Sequence, residues 1–152
     1  MAHRRSEFRL PDPDATRAFG ERLARALRPG DAVLLEGDLG MGKTALARAV
    51  IQRLAGAAID APSPTFNLVL PYDLPGFTLW HFDLYRLSGP DEVAELGFED
   101  ALEDGAVLVE WPDRLGDLAS PDAIRIAIEA EGEGRRLVLD APEGFMERFD
   151  DA

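Results

Sequence analysis

The sequence predicts an α/β fold: a three-layer sandwich whose mixed, mostly parallel central sheet is flanked by helices and ends in a C-terminal β-hairpin. Three observations predict it. The stretches 31–36 and 106–110 hold four consecutive apolar residues each, with acids only at their ends, which is typical of buried parallel strands. Apolar residues at helical spacing precede and follow the first run. Residues 123–130 and 135–140 alternate around a glycine-containing turn, as hairpin strands do.

The length and composition indicate one domain covering residues 1–152. The chain has 152 residues, of which 46% are hydrophobic, enough for a substantial core. The tail after about residue 140 carries no recognisable motif. Its three large apolar residues favour docking of a last helical turn on the domain; they are Phe145, Met146 and Phe149.

The first half of the chain predicts a strand and a helix before the first apolar run, and a helix after it. Residues 7–10 alternate as a short strand does. Asp12 or Asp14 can cap a helix that runs to about Leu27, where Pro29 and Gly30 follow. After residues 31–36, a second helix is expected from Lys43 to about residue 54.

The second half predicts shorter elements. Two extended segments, 66–70 and 77–84, are expected to form a hairpin whose loop is residues 71–76. A short helix is expected over residues 90–96, then a turn at 98–102, the strand 106–110 and a polar connection over 113–120.

Residues 37–44 match the phosphate-loop pattern G-x-x-x-x-G-K-[ST] and stand between a predicted strand and a predicted helix. This context points backbone N–H groups and the positive helix end at an anion, so the fold is expected to be like that of P-loop NTPases. Of the 16 Lys and Arg residues only Lys43 is lysine, in the position where a compact ammonium reaches between phosphates. The residues expected to line the nucleotide phosphates are Gly37, Asp38, Leu39, Gly40, Met41, Gly42, Lys43, Thr44 and Ala45.

Hydrolysis of a nucleotide needs Mg²⁺ and an acid at the end of a neighbouring strand. Thr44 offers a hydroxyl ligand, and Glu110 ends the buried run 106–110, so these two residues are the predicted metal-side pair. Asp83 lies inside the apolar stretch 79–86, where alternation puts His81, Asp83 and Tyr85 on one face. It is the second candidate acid, for positioning the attacking water. Simpler explanations are a strand-end cap on the following segment for Glu110 and a buried ion pair with Arg86 or another arginine for Asp83.

Four further residues have weaker assignments. Thr65 is either a γ-phosphate contact or an ordinary turn residue after Pro64. His81 is expected to be a satisfied structural histidine rather than a base. Trp111 is expected to pack as core or lid rather than stack on adenine, and Arg86 to lie on the surface or in an ion pair.

Composition excludes several classes of protein. The chain has no cysteine and two histidines, which excludes disulfide frameworks and histidine-rich zinc sites. The net charge of −13 argues against a large direct nucleic-acid footprint. The N-terminal residues lack a signal-peptide core and no stretch is long enough to span a membrane, so a cytoplasmic protein without membrane contact is expected.

Five stretches together resemble the bacterial TsaE (YjeE) ATPases. In addition to the phosphate loop, they are Ser63-Pro64-Thr65-Phe66, His81-Phe82-Asp83-Leu84-Tyr85-Arg86-Leu87, Glu95-Leu96-Gly97 and Val109-Glu110-Trp111-Pro112. The resemblance covers roughly residues 5–140. The phosphate loop alone is unspecific, whereas its combination with the stretches 81–87 and 109–112 is highly specific.

The resemblance implies a small, Mg²⁺-dependent ATPase that acts with TsaB and TsaD in threonylcarbamoylation of adenosine 37 in tRNAs that read ANN codons. The family protein does not transfer the carbamoyl group; its ATP hydrolysis resets or licenses the partner complex, and tRNA is met only through partners. By the same resemblance, Lys43 and Thr44 match phosphate and magnesium residues. Thr65, Asp83 and Glu110 match site positions near the γ-phosphate.

Two other functions stay open from the residues alone. A small-molecule kinase would carry a basic lid, and the segment 113–120 holds only Arg114. A nucleotide-gated binding module would sense ATP without needing hydrolysis. The sequence shows no obvious arginine finger, so slow hydrolysis that is stimulated by a partner is expected for the ATPase.

Overall fold

The computed structural model describes residues 2–38, 40–56, 61 and 68–152. The strands are β1 (His3–Leu10), β2 (Ala32–Glu36), β3 (Val69–Leu74), β4 (Phe77–Asp83), β5 (Ala106–Glu110), β6 (Ile124–Glu131) and β7 (Gly134–Pro142). The helices are α1 (Pro13–Ala26), α2 (Lys43–Ala55), α3 (Pro90–Glu95), α4 (Phe98–Asp104) and α5 (Glu143–Asp151), and a 3₁₀ segment covers Pro112–Leu118. Among the described helices, none has the length and apolar character needed to cross a membrane.

The described strands form one mixed sheet in the order β1-β7-β6-β2-β5-β4-β3. Its four central strands, β6, β2, β5 and β4, run parallel to one another. Antiparallel pairs complete both edges: β3 pairs with β4, while β7 pairs with β6 and β1. The predicted α/β fold, with helices around a mixed sheet and a C-terminal hairpin, is confirmed.

Helices cover the two faces of the sheet through separate apolar clusters. On β2, Leu35 belongs to the cluster under α1, α2 and α5, whereas its neighbour Leu34 belongs to the cluster under α3 and α4. Successive side chains of a strand point to opposite faces, so a strand that is buried on both faces has a continuous apolar sequence. This explains why the runs 31–36 and 106–110 lack alternation.

The tail docks as a complete helix. In α5, Phe149 is fully buried and its ring packs against Phe8 of β1 and Phe19 of α1. Edge-to-face and tilted aromatic pairs of this kind add to the stabilisation from burial. The docking that Phe145, Met146 and Phe149 predicted is therefore present, and all three residues are buried.

Several predicted boundaries differ from the structure. The loop predicted over 71–76 is wrong, since β3 continues to Leu74; Pro71 is tolerated there because β3 is an edge strand and needs no N–H on its outer side. The first strand begins at His3 rather than at residue 7, because β1 pairs with β7 along its whole length. The turn predicted at 98–102 is helix α4, and the connection 113–120 contains a 3₁₀ segment.

Candidate functional site

The phosphate loop joins β2 to α2 at the carboxyl edge of the parallel strands. Gly37 has a φ of 152°, and a Cβ on it would lie 2.7 Å from the carbonyl oxygen of Ile128 on the neighbouring strand β6. Gly42 precedes α2 in the left-handed region, with a φ of 99°. Both positions favour glycine for these reasons. The loop therefore delivers the first turn of α2 to the edge of the sheet.

Lys43 is buried at this edge, with 5% of its surface exposed. Its ammonium donates a hydrogen bond to the carbonyl oxygen of Gly37 at 2.5 Å and lies 3.5 Å from the centre of the Trp111 ring. Burial lowers the pKa of Lys43, although the carboxylates of Glu110 and Asp83 act in the opposite direction. A poorly hydrated cation gains much from a phosphate oxygen, because the phosphate replaces missing hydration.

Thr44, Glu110 and His81 form a hydrogen-bonded chain beside this lysine. The Thr44 hydroxyl donates to Glu110 Oε1 at 3.1 Å, and Glu110 Oε2 lies 2.7 Å from Nε2 of His81. Glu110 and His81 have only 3% and 1% of their surface exposed. The simple strand-end cap considered for Glu110 does not describe this arrangement, because the carboxylate reaches two side chains on two other elements.

Asp83 lies next to Glu110 on the adjacent parallel strand. The two residues are register partners, so both carboxylates stand at the same edge of the sheet. Asp83 is buried, and its Oδ1 accepts a hydrogen bond from the backbone N–H of Tyr85 at 3.1 Å. Tyr85 itself lies beyond the end of β4 and is exposed, so the predicted common face for His81, Asp83 and Tyr85 holds only for the first two.

These residues fit a magnesium ion by the chemistry of their donors. A hydroxyl and carboxylate oxygens are the ligands that Mg²⁺ prefers, and the hydroxyl of Thr44 already lies beside the Glu110 carboxylate. Within the described residues, no group of three or more His, Cys, Asp or Glu side chains is arranged as a complete metal cage. That suits Mg²⁺ in a nucleotide site, where phosphate oxygens and waters complete the shell.

Trp111 covers the lysine. It follows β5 with a φ of 60° and a ψ of 55°, a left-handed conformation that is uncommon for a bulky residue. Its ring also packs against the ring of Tyr85, with centroids 4.9 Å apart. This geometry agrees with the expected lid packing, and the ring shields the Lys43 ammonium from water.

Arg135 is a site residue that the sequence analysis missed. From the start of β7 its guanidinium donates to the carbonyl oxygens of Met41 and Gly40 in the phosphate loop, both at 3.3 Å. No local motif marks it, because only the return of the C-terminal hairpin brings β7 to the loop. The sequence offers one signal for it: Arg135 and Arg136 are neighbours on a predicted strand, so one of the two side chains must point to the helix-covered face of the sheet.

Two cavities lie on either side of the loop. The larger, of about 470 Å³, opens between α1, α2 and the hairpin turn. Its lining includes Leu10, Thr16, Met41, Gly42, Ala45, Gln52 and Arg135. The smaller, of about 260 Å³, lies at the other end of the loop and is lined by Glu36, Gly37, Asp38, Trp111, Pro112 and Asp113. The loop therefore separates a larger space beside α1 and the hairpin turn from a smaller one beside Trp111.

The family model described as threonylcarbamoyl adenosine biosynthesis protein TsaE matches residues 10–138. The chain belongs to the TsaE family. This match spans the phosphate loop, both carboxylates and Arg135, and it ends before α5. The family takes part in tRNA threonylcarbamoyladenosine biosynthesis.

Relatives support the same assignment to the TsaE family. The chain is 42% identical to the tRNA threonylcarbamoyladenosine biosynthesis protein TsaE of Rickettsia felis over 84% of this chain and 75% of that protein. It is 32% identical to the protein of the same name from Bacillus subtilis over 87% of this chain and 82% of that protein. The crystal structure of Bacillus subtilis YdiB superposes with a TM-score of 0.80 at 26% identity, covering 99% of this chain and 97% of that one.

Most of the predicted TsaE-type site residues come together. The described residues Gly37, Asp38, Gly40, Met41, Gly42, Lys43, Thr44 and Ala45 form the loop and the start of α2, with Asp83 and Glu110 facing them from β4 and β5. Thr65 and Leu39 lie outside the described residues. Arg86 is exposed, in agreement with a surface position. His81 differs from its expectation, because only one of its ring nitrogens has a partner in the described part of the chain.

Proposed function

We propose that this protein is a Mg²⁺-dependent ATPase that supports threonylcarbamoylation of adenosine 37 in tRNAs reading ANN codons. The observation that carries the proposal is the contact between Thr44 at the start of α2 and Glu110 at the end of β5. A phosphate-loop hydroxyl beside a strand-end carboxylate is the pair that holds magnesium in P-loop NTPases.

The phosphates of ATP bind along residues 37–45. Backbone N–H groups at the start of α2 and the Lys43 ammonium contact the β- and γ-phosphates, where the helix end adds positive potential. Bound Mg²⁺ neutralises charge that develops on the β- and γ-phosphate oxygens. Thr44 would ligate the ion directly, with Glu110 beside it.

The nucleoside fits the larger cavity. That space adjoins Gly42 and Ala45, where the α-phosphate end of a bound nucleotide leaves the loop, and its volume of about 470 Å³ suits a small ligand. Leu10 and Met41 supply apolar contacts for a flat base, while Thr16 and Gln52 supply polar groups. This placement leaves the γ-phosphate end of the nucleotide beside Trp111 and the carboxylates.

Hydrolysis requires a positioned water. Asp83 or Thr65 orients the water, whose oxygen attacks the γ-phosphorus while the bond from phosphorus to the bridging β-oxygen breaks, giving ADP and inorganic phosphate. Arg135 contacts loop carbonyls and lies on the side of the larger cavity, and Arg86 is exposed. Intrinsic hydrolysis is therefore expected to be slow and to be stimulated by a TsaB–TsaD-like complex, which alone meets the tRNA in the cytoplasm.

The first test uses Lys43→Ala beside Arg53→Ala, a control on an exposed position of the same helix. Lys43→Ala is expected to weaken ATP binding by at least about 30-fold, since losing a buried charge partner costs roughly 2–5 kcal/mol. Arg53→Ala should bind as the wild type does. Isothermal titration calorimetry with the ATP analogue AMP-PNP measures both affinities. Equal affinities for wild type and Lys43→Ala would contradict the proposal.

Phosphate release distinguishes the alternatives. The ATPase releases inorganic phosphate from ATP without an acceptor, and faster when the TsaB–TsaD pair is added. A small-molecule kinase releases almost none until its acceptor is present. In a reconstituted tRNA modification assay, Asp83→Ala should abolish multiple turnovers, whereas a nucleotide-gated binding module would keep its function after losing hydrolysis.

A further inference from the structure

The strongest unexplained feature of the site is the buried contact between His81 and Glu110. Their atoms Nε2 and Oε2 are 2.7 Å apart, and both residues are almost completely inaccessible to water. We propose that His81 is a positioning residue, which holds the Glu110 carboxylate against Thr44 and thereby sets the affinity of the site for Mg²⁺. This inference rests on the proposed function, because the ion and the nucleotide are those of the ATPase.

The backbone places the histidine for this role. His81 and Asp83 are two residues apart on β4, so their side chains leave the same face of the sheet. Asp83 is the register partner of Glu110, and His81 is that of Leu108. The Glu110 side chain therefore reaches diagonally back along the neighbouring strand to the imidazole, while Asp83 keeps the place directly beside it.

The hydrogen bonds have a defined direction. An ionised carboxylate only accepts, so Nε2 of His81 carries the proton in this contact. The hydroxyl of Thr44 has a single proton and gives it to Glu110, at 3.1 Å from Oε1. Its lone pairs are then left for a cation. His81 therefore orients the Glu110 carboxylate, and the carboxylate in turn orients the metal-binding hydroxyl of Thr44.

Burial makes this arrangement sensitive to the histidine. A buried carboxylate needs donors, and within the described residues Glu110 accepts from the side chains of Thr44 and His81 only. Removing the Nε2 donor leaves one oxygen of Glu110 without its partner. The carboxylate is then free to turn away from Thr44 or to bind a water, and the hydroxyl loses its fixed orientation.

The ring offers a matched pair of substitutions. Nδ1 is buried without a hydrogen-bond partner in the described part of the chain, so Nε2 makes the polar contact of this ring. A glutamine amide nitrogen can occupy the position of Nε2, whereas an asparagine amide nitrogen reaches only the position of Nδ1. His81→Gln should therefore restore what His81→Asn removes.

The experiment measures metal binding separately from activity. Mn²⁺ serves as the spectroscopic probe, and its affinity for the complex of each full-length variant with AMP-PNP is read by electron paramagnetic resonance. His81→Asn is expected to raise the dissociation constant for Mn²⁺ by about 10- to 100-fold, the usual effect of losing a partner of a metal ligand. His81→Gln should stay within about threefold of the wild type by the same reasoning.

Two controls isolate the positioning role. Affinity for AMP-PNP in excess EDTA should be unchanged in both variants, because His81 lies behind Glu110 and not on the phosphates. In a Glu110→Gln background, His81→Asn should have little additional effect on Mn²⁺ affinity, because the two residues act through one contact. This cycle remains informative even if His81→Asn lowers the stability of the fold.

Three outcomes overturn the inference. One is equal Mn²⁺ affinity for wild type and His81→Asn. Another is a parallel loss of metal-free nucleotide binding in both His81 variants, which indicates a structural role. The last is an additive effect in the Glu110→Gln background. A wild-type protein that binds AMP-PNP neither with nor without metal contradicts the proposed function itself, and is recognised before any variant is compared.

Discussion

Charged residues are buried in one half of the sheet and exposed in the other. Where α2 begins and β4 and β5 end, charged and polar groups are buried; among the described residues they are Lys43, His81, Asp83 and Glu110. On the antiparallel half, β1, β7 and β6 carry ion pairs on a face that no described helix covers. These pairs include Arg136 with Glu7 and Glu129, and Arg125 of β6 with the exposed Glu36 at the end of β2.

The difference separates structural charges from functional ones. Exposed ion pairs contribute little to stability, because water screens them and both side chains lose freedom. Burying a charge is costly unless a partner compensates it, and an apolar residue would fill the same place at lower cost. Buried charges that lie together at the end of three parallel strands therefore indicate a binding site. The open-face charges need no function beyond solubility.

The largest expected effect comes from Glu110→Gln, compared with Glu129→Gln on the open face. The amide cannot accept from both Thr44 and His81, and it carries no negative charge toward Mg²⁺. Phosphate release in the presence of TsaB–TsaD should fall by at least about 100-fold, the scale at which loss of one preorganised electrostatic group slows enzymes.

Glu129→Gln should leave that rate unchanged, since Glu129 contacts Arg136 at an exposed position. Equal rates for the two variants would remove the distinction between the halves of the sheet. A loss in Glu110→Gln that high Mg²⁺ concentrations partly restore would sharpen it, because it would assign the effect to metal affinity.

An intermediate effect is expected from Arg135→Met. Its guanidinium fixes the carbonyl oxygens of Gly40 and Met41, so the variant should bind AMP-PNP about tenfold more weakly, as expected for two long hydrogen bonds from a charged donor. Titration calorimetry checks the affinity. Unchanged binding in this variant would show that the loop needs no support from the hairpin.

The smallest effect is expected from Arg136→Met, the neighbour of Arg135 on β7. Its side chain points to the open face, where it bridges Glu7 and Glu129. Nucleotide affinity should stay at the wild-type value. The midpoint of urea unfolding should shift slightly, and 1 M salt should erase that shift. A loss of nucleotide binding here would contradict the separation of the two faces of β7.

The sequence predicted those site residues that belong to a short, contiguous pattern. The phosphate loop is a contiguous pattern, and Glu110 follows a run of four apolar residues, so each could be identified from the local sequence alone. The predicted roles of Lys43, Thr44 and Glu110 in binding, and of Asp83 and Thr65 in hydrolysis, stay predictions. Boundaries were less certain where pairing decides them: β1 extends to His3 because β7 is long enough to pair with it.

Contacts between distant elements could not be predicted in the same way. Arg135 meets the phosphate loop only because β6 pairs with β2 and β7 returns beside β6. Trp111 covers Lys43 only because the chain turns sharply after β5. His81 was expected to be structural. Its contact with Glu110 depends on the register between β4 and β5, in which a shift of one residue would point the imidazole to the other face.

The sequence by itself determined the phosphate loop, the α/β class and the two acids, because each follows from short-range spacing and from the periodicity of apolar residues. Tertiary structure alone decided which groups meet: the chain from His81 through Glu110 to Thr44, the clasp of Arg135 on the loop and the Trp111 lid. The physical reason is that hydrogen bonds and burial depend on distance in space, and strand order and register set that distance for residues far apart in the chain.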